Sequence, residues 1–477
     1  MKKGYLPREQ RKKILLLCDD IRFTSGIATM AREMVVGTSH YFNWVNIGGA
    51  INHPEQGKRL DISEDTNKHS NISDSSVFIY PVSGYGDAQF IRQMLEIEKP
   101  DALMMFTDPR YWVWLFQIEN EIRRKIPIIY LNIWDDYPAP RYNESYYESC
   151  DGLMSISKQT LNINKLVLGD KAKDKVLSYV PHGINEKYFF PIDKSDPKLI
   201  DFKKSLFKDK EYDFVLMFNS RNIRRKMTPD ALAAFKLFLD KLPKEKADKC
   251  AFVLHTQPID EHGTDLYAVR DMLFTDEQCD QIYFSDQRID TNTINLVYNL
   301  SDACILLSSN EGWGLSLTEA MMCGKMIIAN VTGGMQDQMR FVDENGKWIE
   351  FDENFCSNHF GTYKICGDWA IPVFPSNMSL QGSVQTPYIF DDRADFRDAA
   401  DAIMKAYELG TEERERRGKL AREWVTSDES MMSADNMSKN VIKHVDEVLA
   451  TWKPKPKFEL IKTEPLKRKH ISHKLVY

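Results

Sequence analysis

Short apolar runs recur along the chain and alternate with segments of helical period. In the first half the runs fall at residues 14–19, 77–82, 101–106, 128–133, 152–156 and 176–180. Gly, Pro, Asp or Ser bounds each run, and none is long enough for a helix. They predict strands buried on both faces. Residues 27–36 and 88–98 carry apolar positions at helical spacing. The second half repeats the scheme, with strands expected at 213–218, 251–255, 281–285, 303–307 and 325–330. Helices are expected from Thr228, over 286–299 and over 315–323. Three amphipathic helices follow, at 397–407, 412–425 and 436–449. Strands alternating with helices predict parallel sheets of the α/β class. A chain of 477 residues exceeds one core and fits two or three domains. Residues 50–75 are polar and without period, which reads as a loop or small insertion. Residues 344–393 form a long segment that includes Trp348, Trp369 and Phe374. Its aromatic content argues against disorder, so it is an acceptor-recognition element or a structural embellishment.

In open α/β sheets ligands bind where strands end and helices begin. The stretch 301–334 reads strand, glycine loop, helix, strand, glycine loop. Gly312 and Gly314 expose backbone N–H groups at a helix start, a cradle for an anion or sugar oxygens. Glu311 precedes that helix and Glu319 lies inside it. A carboxylate accepts two hydrogen bonds, which suits vicinal hydroxyls. Arg221, Arg224, Arg225 and Lys226 stand between the strand 213–218 and a helix that Thr228 caps, with Pro229 in its first turn. Four cations at a strand end make a phosphate clamp. Asp108 follows the strand 101–106, which Pro109 stops, and Asp135 and Asp136 follow the strand 128–133. These acids serve as polar contacts, as acceptor-binding or base groups, or as turn formers. Gly26 lies in the first strand-to-helix loop. Tyr111, Trp112, Trp114 and Phe116 line an acceptor platform or fill the core.

Apolar residues make up 43% and charged residues 28%, the balance of a soluble globular protein. A net charge of −7 argues against nucleic-acid binding by bulk charge. Eight scattered cysteines without C-x-x-C point to a reducing cytosol and no disulfide framework. Cys356, His359 and Cys366 match no common zinc spacing, and no metal is expected. No apolar run is long enough for a signal peptide or a transmembrane helix. Residues 451–477 hold seven Lys and one Arg against two Glu. The strip from Lys453 to Lys457 is a solvated tail, or a contact for a polyanion or an acidic membrane surface.

The string Glu311-Gly-Trp-Gly-Leu-Ser-Leu-Thr-Glu319-Ala-Met-Met-Cys-Gly324 resembles the E-x7-E signature of retaining glycosyltransferases of the GT-B fold, the group 1 or family-four type. Trp313 stands for the usual Phe and Ser316 for the usual Pro. Pro181-His182-Gly183-Ile184-Asn185 with Phe189-Phe190-Pro191 resembles the family's hinge. Arg221 and Lys226 match its Arg and Lys, with Met227 where Gly is usual. The resemblance implies two facing Rossmann-like domains: an acceptor domain over 1–190 and a nucleotide-sugar domain over 191–433. A last helix near 434–450 would cross back to the first. It implies that Arg221 and Lys226 stabilise a departing diphosphate and that Glu311 holds the donor sugar. The backbone amides of Gly312, Trp313, Gly314 and Leu315 would meet sugar and phosphate, Glu319 the ribose, and Gly26 the diphosphate or acceptor. Asp108 is a further polar contact where the family often has His, and no obligatory metal is implied. The activity implied is sugar transfer from a nucleoside diphosphate sugar to a hydroxyl, with retention. Two acceptors fit the basic tail: a hydroxymethylated base in viral DNA, or a lipid-linked or surface polysaccharide. A GT-B protein that binds polyanions without catalysis is the reading from another class. A phosphorylase would need a pyridoxal lysine and a longer chain.

Overall fold

The computed structural model describes residues 4–458 apart from 209, 288 and 356. The part of the basic tail beyond residue 458, and Cys356, therefore lie outside the described residues. Two parallel sheets organise the chain. In the first, the strands run in the order Leu60–Asp61, Val77–Pro81, Phe42–Gly49, Lys12–Asp19, Ala102–Phe106, Ile128–Asn132, Gly152–Ser155, Val176–Tyr179. Only the short edge strand Leu60–Asp61 pairs antiparallel. The central strands are apolar throughout because helices cover both of their faces. From Lys12–Asp19 the chain builds outward to one side, then returns to add Ala102–Phe106 on the other. The loops after these two strands flank the point where the winding reverses, and they carry Gly26 and Asp108.

The second sheet runs Ile282–Ser285, Cys250–His255, Phe214–Asn219, Ala303–Leu306, Met326–Asn330, Ala370–Val373. Its reversal lies between Phe214–Asn219 and Ala303–Leu306. The loops leaving those two strands hold the four cations and the glycine string, so the topology brings them side by side. The linkers between the two sheets run together. Ile184 N donates to Met432 O at 3.0 Å, and Ala434 N donates to Ile184 O at 3.0 Å. Beyond this crossing the helix Ala434–Thr451 lies on the first sheet. Its Asp446 accepts from Tyr41 Oη at 2.8 Å, and His444 Nδ1 sits 2.8 Å from Ser178 Oγ.

Of three local expectations, one is overturned and two are sharpened. Residues 50–75 are not one loop but contain Leu60–Asp61 and the helix Ser63–Ser70. That helix buries only Thr66 and Ser70, so it shows no apolar period. Glu64 and Asp65 in its first turn, Lys68 and His69 in its last, and left-handed Asn71 at its end favour it instead. Thr228 is not an N-cap but the first residue of the helix Thr228–Asp240. Met227 caps it in the left-handed region at φ 51°, where a glycine would sit without the side-chain clash. The segment 344–393, whose aromatic content argues against disorder, supplies Ala370–Val373 to the second sheet and then a hairpin, Pro375–Gln381 with Ile389–Ala394. The hairpin reaches the first domain, where Phe390 N donates to Tyr137 O at 2.6 Å and Tyr142 Oη donates to Tyr388 O at 2.9 Å.

Candidate active site

Two loops of the second sheet meet at Glu311. The turn Arg224–Lys226 is held by Lys226 N donating to Ile223 O at 2.9 Å, and Ser309 N donates to Arg225 O at 2.8 Å. This stitch between loops points Arg225 and Lys226 at the glycine string. Lys226 Nζ donates to Glu311 Oε2. Arg225 Nη1 reaches the same oxygen at 3.2 Å and Asn310 O at 2.8 Å, and Ser308 Oγ donates to it at 3.1 Å. The Glu311 backbone is fixed from behind. Gly334 N donates to its carbonyl at 3.0 Å, and a Cβ on Gly333 would fall 2.0 Å from that oxygen. No side chain could stand there.

Glu311 is buried. Burial alone would raise its pKa, but Lys226 and Arg225 outweigh burial and hold it down at about 2. Burial pulls the Lys226 pKa down, and Glu311 opposes that pull. With Glu311 ionised and both cations charged, the cluster carries one net positive charge. Such a group attracts a phosphate oxygen strongly in a low-dielectric setting.

Arg221 does not join the cluster. It pairs with Asp260 at 2.7 and 3.1 Å, and its side chain is 58% exposed. Arg225 occupies the place beside Glu311 where Arg221 was expected. The run of four cations signalled a clamp without showing which member turns inward. Asp108 is likewise committed to another partner: it chelates Arg110, accepting from its backbone N at 2.9 Å and from Nε at 2.8 Å. Arg110 in turn donates to Thr386 of the hairpin.

The remaining members of the glycine string set its shape. Trp313 is buried, donates through Nε1 to Thr318 Oγ1 at 2.9 Å and meets the His182 ring edge-on at 6.4 Å. Burial drives His182 down to about 3, so it stays neutral. Gly314, at φ +88°, precedes the helix Leu315–Met322. Leu315 faces the first domain, where a Cβ on Gly26 would lie 3.6 Å from it. Within the helix, Glu319 Oε2 accepts from Tyr298 Oη at 2.6 Å and from Asn219 Nδ2 at 3.3 Å. Burial raises Glu319 to about 7 against these two donors. Sequence reasoning missed Asn219 and Tyr298. Asn219 ends a strand and could have been read, whereas Tyr298 looks like any core tyrosine.

Two cavities of about 540 Å³ each lie between the domains. One is lined by Glu319, Asn219, His255 and Asp290 of the second domain and by Arg32 and Glu33 of the first. The other is lined by Asp135, Asp136, Arg110 and Arg225, with Thr386 and Asp391 of the hairpin as its far wall. Among the described residues no group of three His, Cys, Asp or Glu is placed to hold a metal, and no helix is long and apolar enough to cross a membrane. His359 lies in an aromatic core, 4.4 Å from Phe341.

Residues 197–354 match the model of the family described as Glycosyl transferases group 1. No curated protein matches the chain significantly. Among solved structures, sucrose-phosphate synthase from Thermosynechococcus elongatus superposes with a TM-score of 0.64 at 14% identity, over 92% of this chain and 100% of that one. Anabaena HepE, solved with UDP and glucose, gives 0.62 at 12% identity, over 92% and 100%. The α,α-trehalose 6-phosphate synthase of Burkholderia multivorans gives 0.60 at 12% identity, over 92% and 99%. The fold is that of the GT-B glycosyltransferases, two Rossmann-like domains facing each other, and the family match falls on the domain that carries Lys226, Glu311 and Glu319.

Proposed function

We propose that this protein transfers a sugar from a nucleoside diphosphate sugar to an acceptor hydroxyl, with retention at the anomeric carbon. The observation that carries this reading is the buried meeting of Lys226 and Arg225 with Glu311 at the reversal point of the second sheet. In the reaction the bond from the anomeric carbon to the phosphate oxygen breaks, and its electron pair goes to the diphosphate. Lys226 and Arg225 meet that growing charge, which is the position where a fixed cation lowers the barrier most. Glu311 holds hydroxyls of the donor sugar, with the amides of Gly312, Trp313, Gly314 and Leu315 around its neighbouring oxygens. Glu319, held by Tyr298 and Asn219, takes the ribose hydroxyls in the adjacent cavity. Gly26 and Leu315 bound the passage between the domains, and no metal is needed when two cations face the leaving group. Asp108 acts through Arg110, whose guanidinium borders the second cavity.

The acceptor is a sugar hydroxyl, as in polysaccharide or lipopolysaccharide assembly. A cavity of about 540 Å³ closed by the hairpin suits one or two sugar rings. The alternative, a hydroxymethylated base in DNA, would need the basic tail near that cavity. In the described part of that tail, Lys455 is instead bound to Glu119 at 2.9 Å, in the segment entering the strand Ile128–Asn132, at the opposite end of that strand from the cleft. The seven cysteines among the described residues are free, consistent with a cytoplasmic setting. UDP-, GDP-, ADP- and dTDP-hexoses, each incubated with the protein and a panel of mono- and disaccharides, test the reading. At least one donor is expected to release its nucleoside diphosphate. No turnover of any would contradict catalysis and favour a GT-B protein that only binds.

A further inference from the structure

The hairpin that follows the second sheet puts a carboxylate into the second cavity that the donor chemistry does not use. Successive residues of its strand Ile389–Ala394 face opposite ways. Asp392 turns into the second domain, fully buried, and accepts from Thr332 Oγ1 at 2.7 Å and from Asn358 Nδ2 at 2.8 Å. Ile389, Asp391 and Arg393 share the other face and line the cavity. At the near end of the strand, Arg141 N donates to Tyr388 Oη at 3.2 Å, and Arg110 donates to Thr386 Oγ1. The hairpin is therefore fixed to both domains. Asp391 stands beside the donor loop. Its Oδ1 accepts from Asn310 Nδ2 at 2.9 Å, and Asn310 O is the group that Arg225 grips next to Glu311. Among the described residues its Oδ2 meets only Arg393, at 3.5 Å, the far limit of a hydrogen bond. The Asp391 side chain is 15% exposed. One of its oxygens thus ties the hairpin to the donor loop, and the other is left to the cavity.

We propose that Asp391 Oδ2 accepts a hydrogen bond from a hydroxyl of the acceptor, and that the acceptor is an uncharged saccharide. The inference rests on the function proposed above and adds to it the residue that selects the acceptor. Four arginines and four aspartates line the cavity, so their formal charges cancel. Arg110, Arg225 and Arg393 are already paired with Asp108, Glu311 and Asp391, and the fourth, Arg224, is exposed. A phosphate on the acceptor would have to break one of these pairs. Sugar hydroxyls donate to carboxylates and accept from guanidinium groups at once, so they fit such a wall without breaking it. Ile389, on the same face of the strand, supplies the apolar surface that pairs with a few placed polar groups in small-molecule sites. Asp391 holds the acceptor and makes no bond to it. Its place beside Asn310 sets the acceptor ring against the loop that carries Glu311.

An acceptor series on the whole chain tests this. UDP-, GDP-, ADP- and dTDP-glucose supply the donor. Glucose, galactose, mannose and maltose supply the acceptor, with each monosaccharide also offered as its deoxy forms and its 6-phosphate. At least one neutral sugar is expected to be glucosylated about 10-fold or more faster than its 6-phosphate. Removing one hydroxyl from that sugar is expected to raise its KM by about 10- to 100-fold, the range for a hydrogen bond to a charged group. This comparison needs no variant to fold. Asp391→Ala, and Asp391→Asn, which keeps an oxygen for Asn310, are expected to raise the acceptor KM by a similar factor and the donor KM by about twofold or less. The sensitive deoxy sugar is expected to lose nothing further in either variant, because the bond is already gone. A 6-phosphate preferred over its neutral sugar, a donor KM that rises as much as the acceptor KM, or losses from the deoxy sugar and the variant that multiply would overturn the inference. Nucleoside diphosphate released in water, with no neutral sugar accepted, would overturn it and leave the donor reading standing. No turnover of any of the four donors would remove the donor reading itself, and the inference falls with it.

Discussion

Lys226→Ala is expected to slow sugar transfer by about 1,000-fold while the protein stays folded, as checked by kcat alongside a thermal melt. A fixed donor aimed at charge that develops in the transition state is worth about 100- to 1,000-fold, and Lys226 is both charged and buried. Its ammonium reaches Glu311, so the same change also unlocks the donor-sugar carboxylate. With Lys226 gone, Arg225 and the Ser308 hydroxyl alone oppose burial at Glu311, and the carboxyl pKa rises from about 2 toward its ordinary value. On acidification the variant should therefore begin to lose activity at a higher pH than the unsubstituted protein does. A Lys226→Ala protein with full activity would remove the cluster from the chemistry.

Arg225→Ala and Arg221→Ala should separate sharply. Removal of Arg225 is expected to lower kcat/KM by about 100-fold, because its guanidinium touches Glu311 and Asn310 and also borders the acceptor cavity. Removal of Arg221 is expected to change kcat/KM by about twofold or less. It forms an exposed pair with Asp260, of the kind that contributes at most about 1 kcal/mol. Steady-state kinetics on the two variants with one donor decide the point. The reverse order of effects would put Arg221 back in the clamp.

Much of this architecture was readable from residues alone. The apolar runs of both sheets are legible because strands buried on both faces cannot hide among polar residues. Lys226, Glu311 and Glu319 were legible because each follows or faces a strand end at the side where α/β sheets bind ligands. The choice between Arg221 and Arg225 was not legible. It depends on the tight turn Arg224–Lys226, on left-handed Met227, and on Asp260, which arrives from the loop after Cys250–His255. None of these is local to the cationic run. The helix Ser63–Ser70 escaped because charge, rather than an apolar face, favours it. The hairpin Pro375–Gln381 and Ile389–Ala394 escaped for a related reason. Its first strand, PSNMSLQ, has no residue fully buried, and its partners Tyr137 and Tyr142 lie more than two hundred positions earlier. The acids Asp135 and Asp136 could be seen as a pair at a strand end, but only the folded chain shows Asp136 buried and Asp135 against Gly312.

The most direct measurement is a crystal structure of the protein with UDP-glucose. The account predicts the diphosphate within hydrogen-bond distance of Lys226 and Arg225, the ribose hydroxyls on Glu319, and the glucose ring against Glu311 and the amides of Gly312 to Leu315. A nucleotide seated elsewhere, such as the cavity beside Lys325 and Arg414 at the far end of the second sheet, with Lys226 and Glu319 untouched, would contradict it.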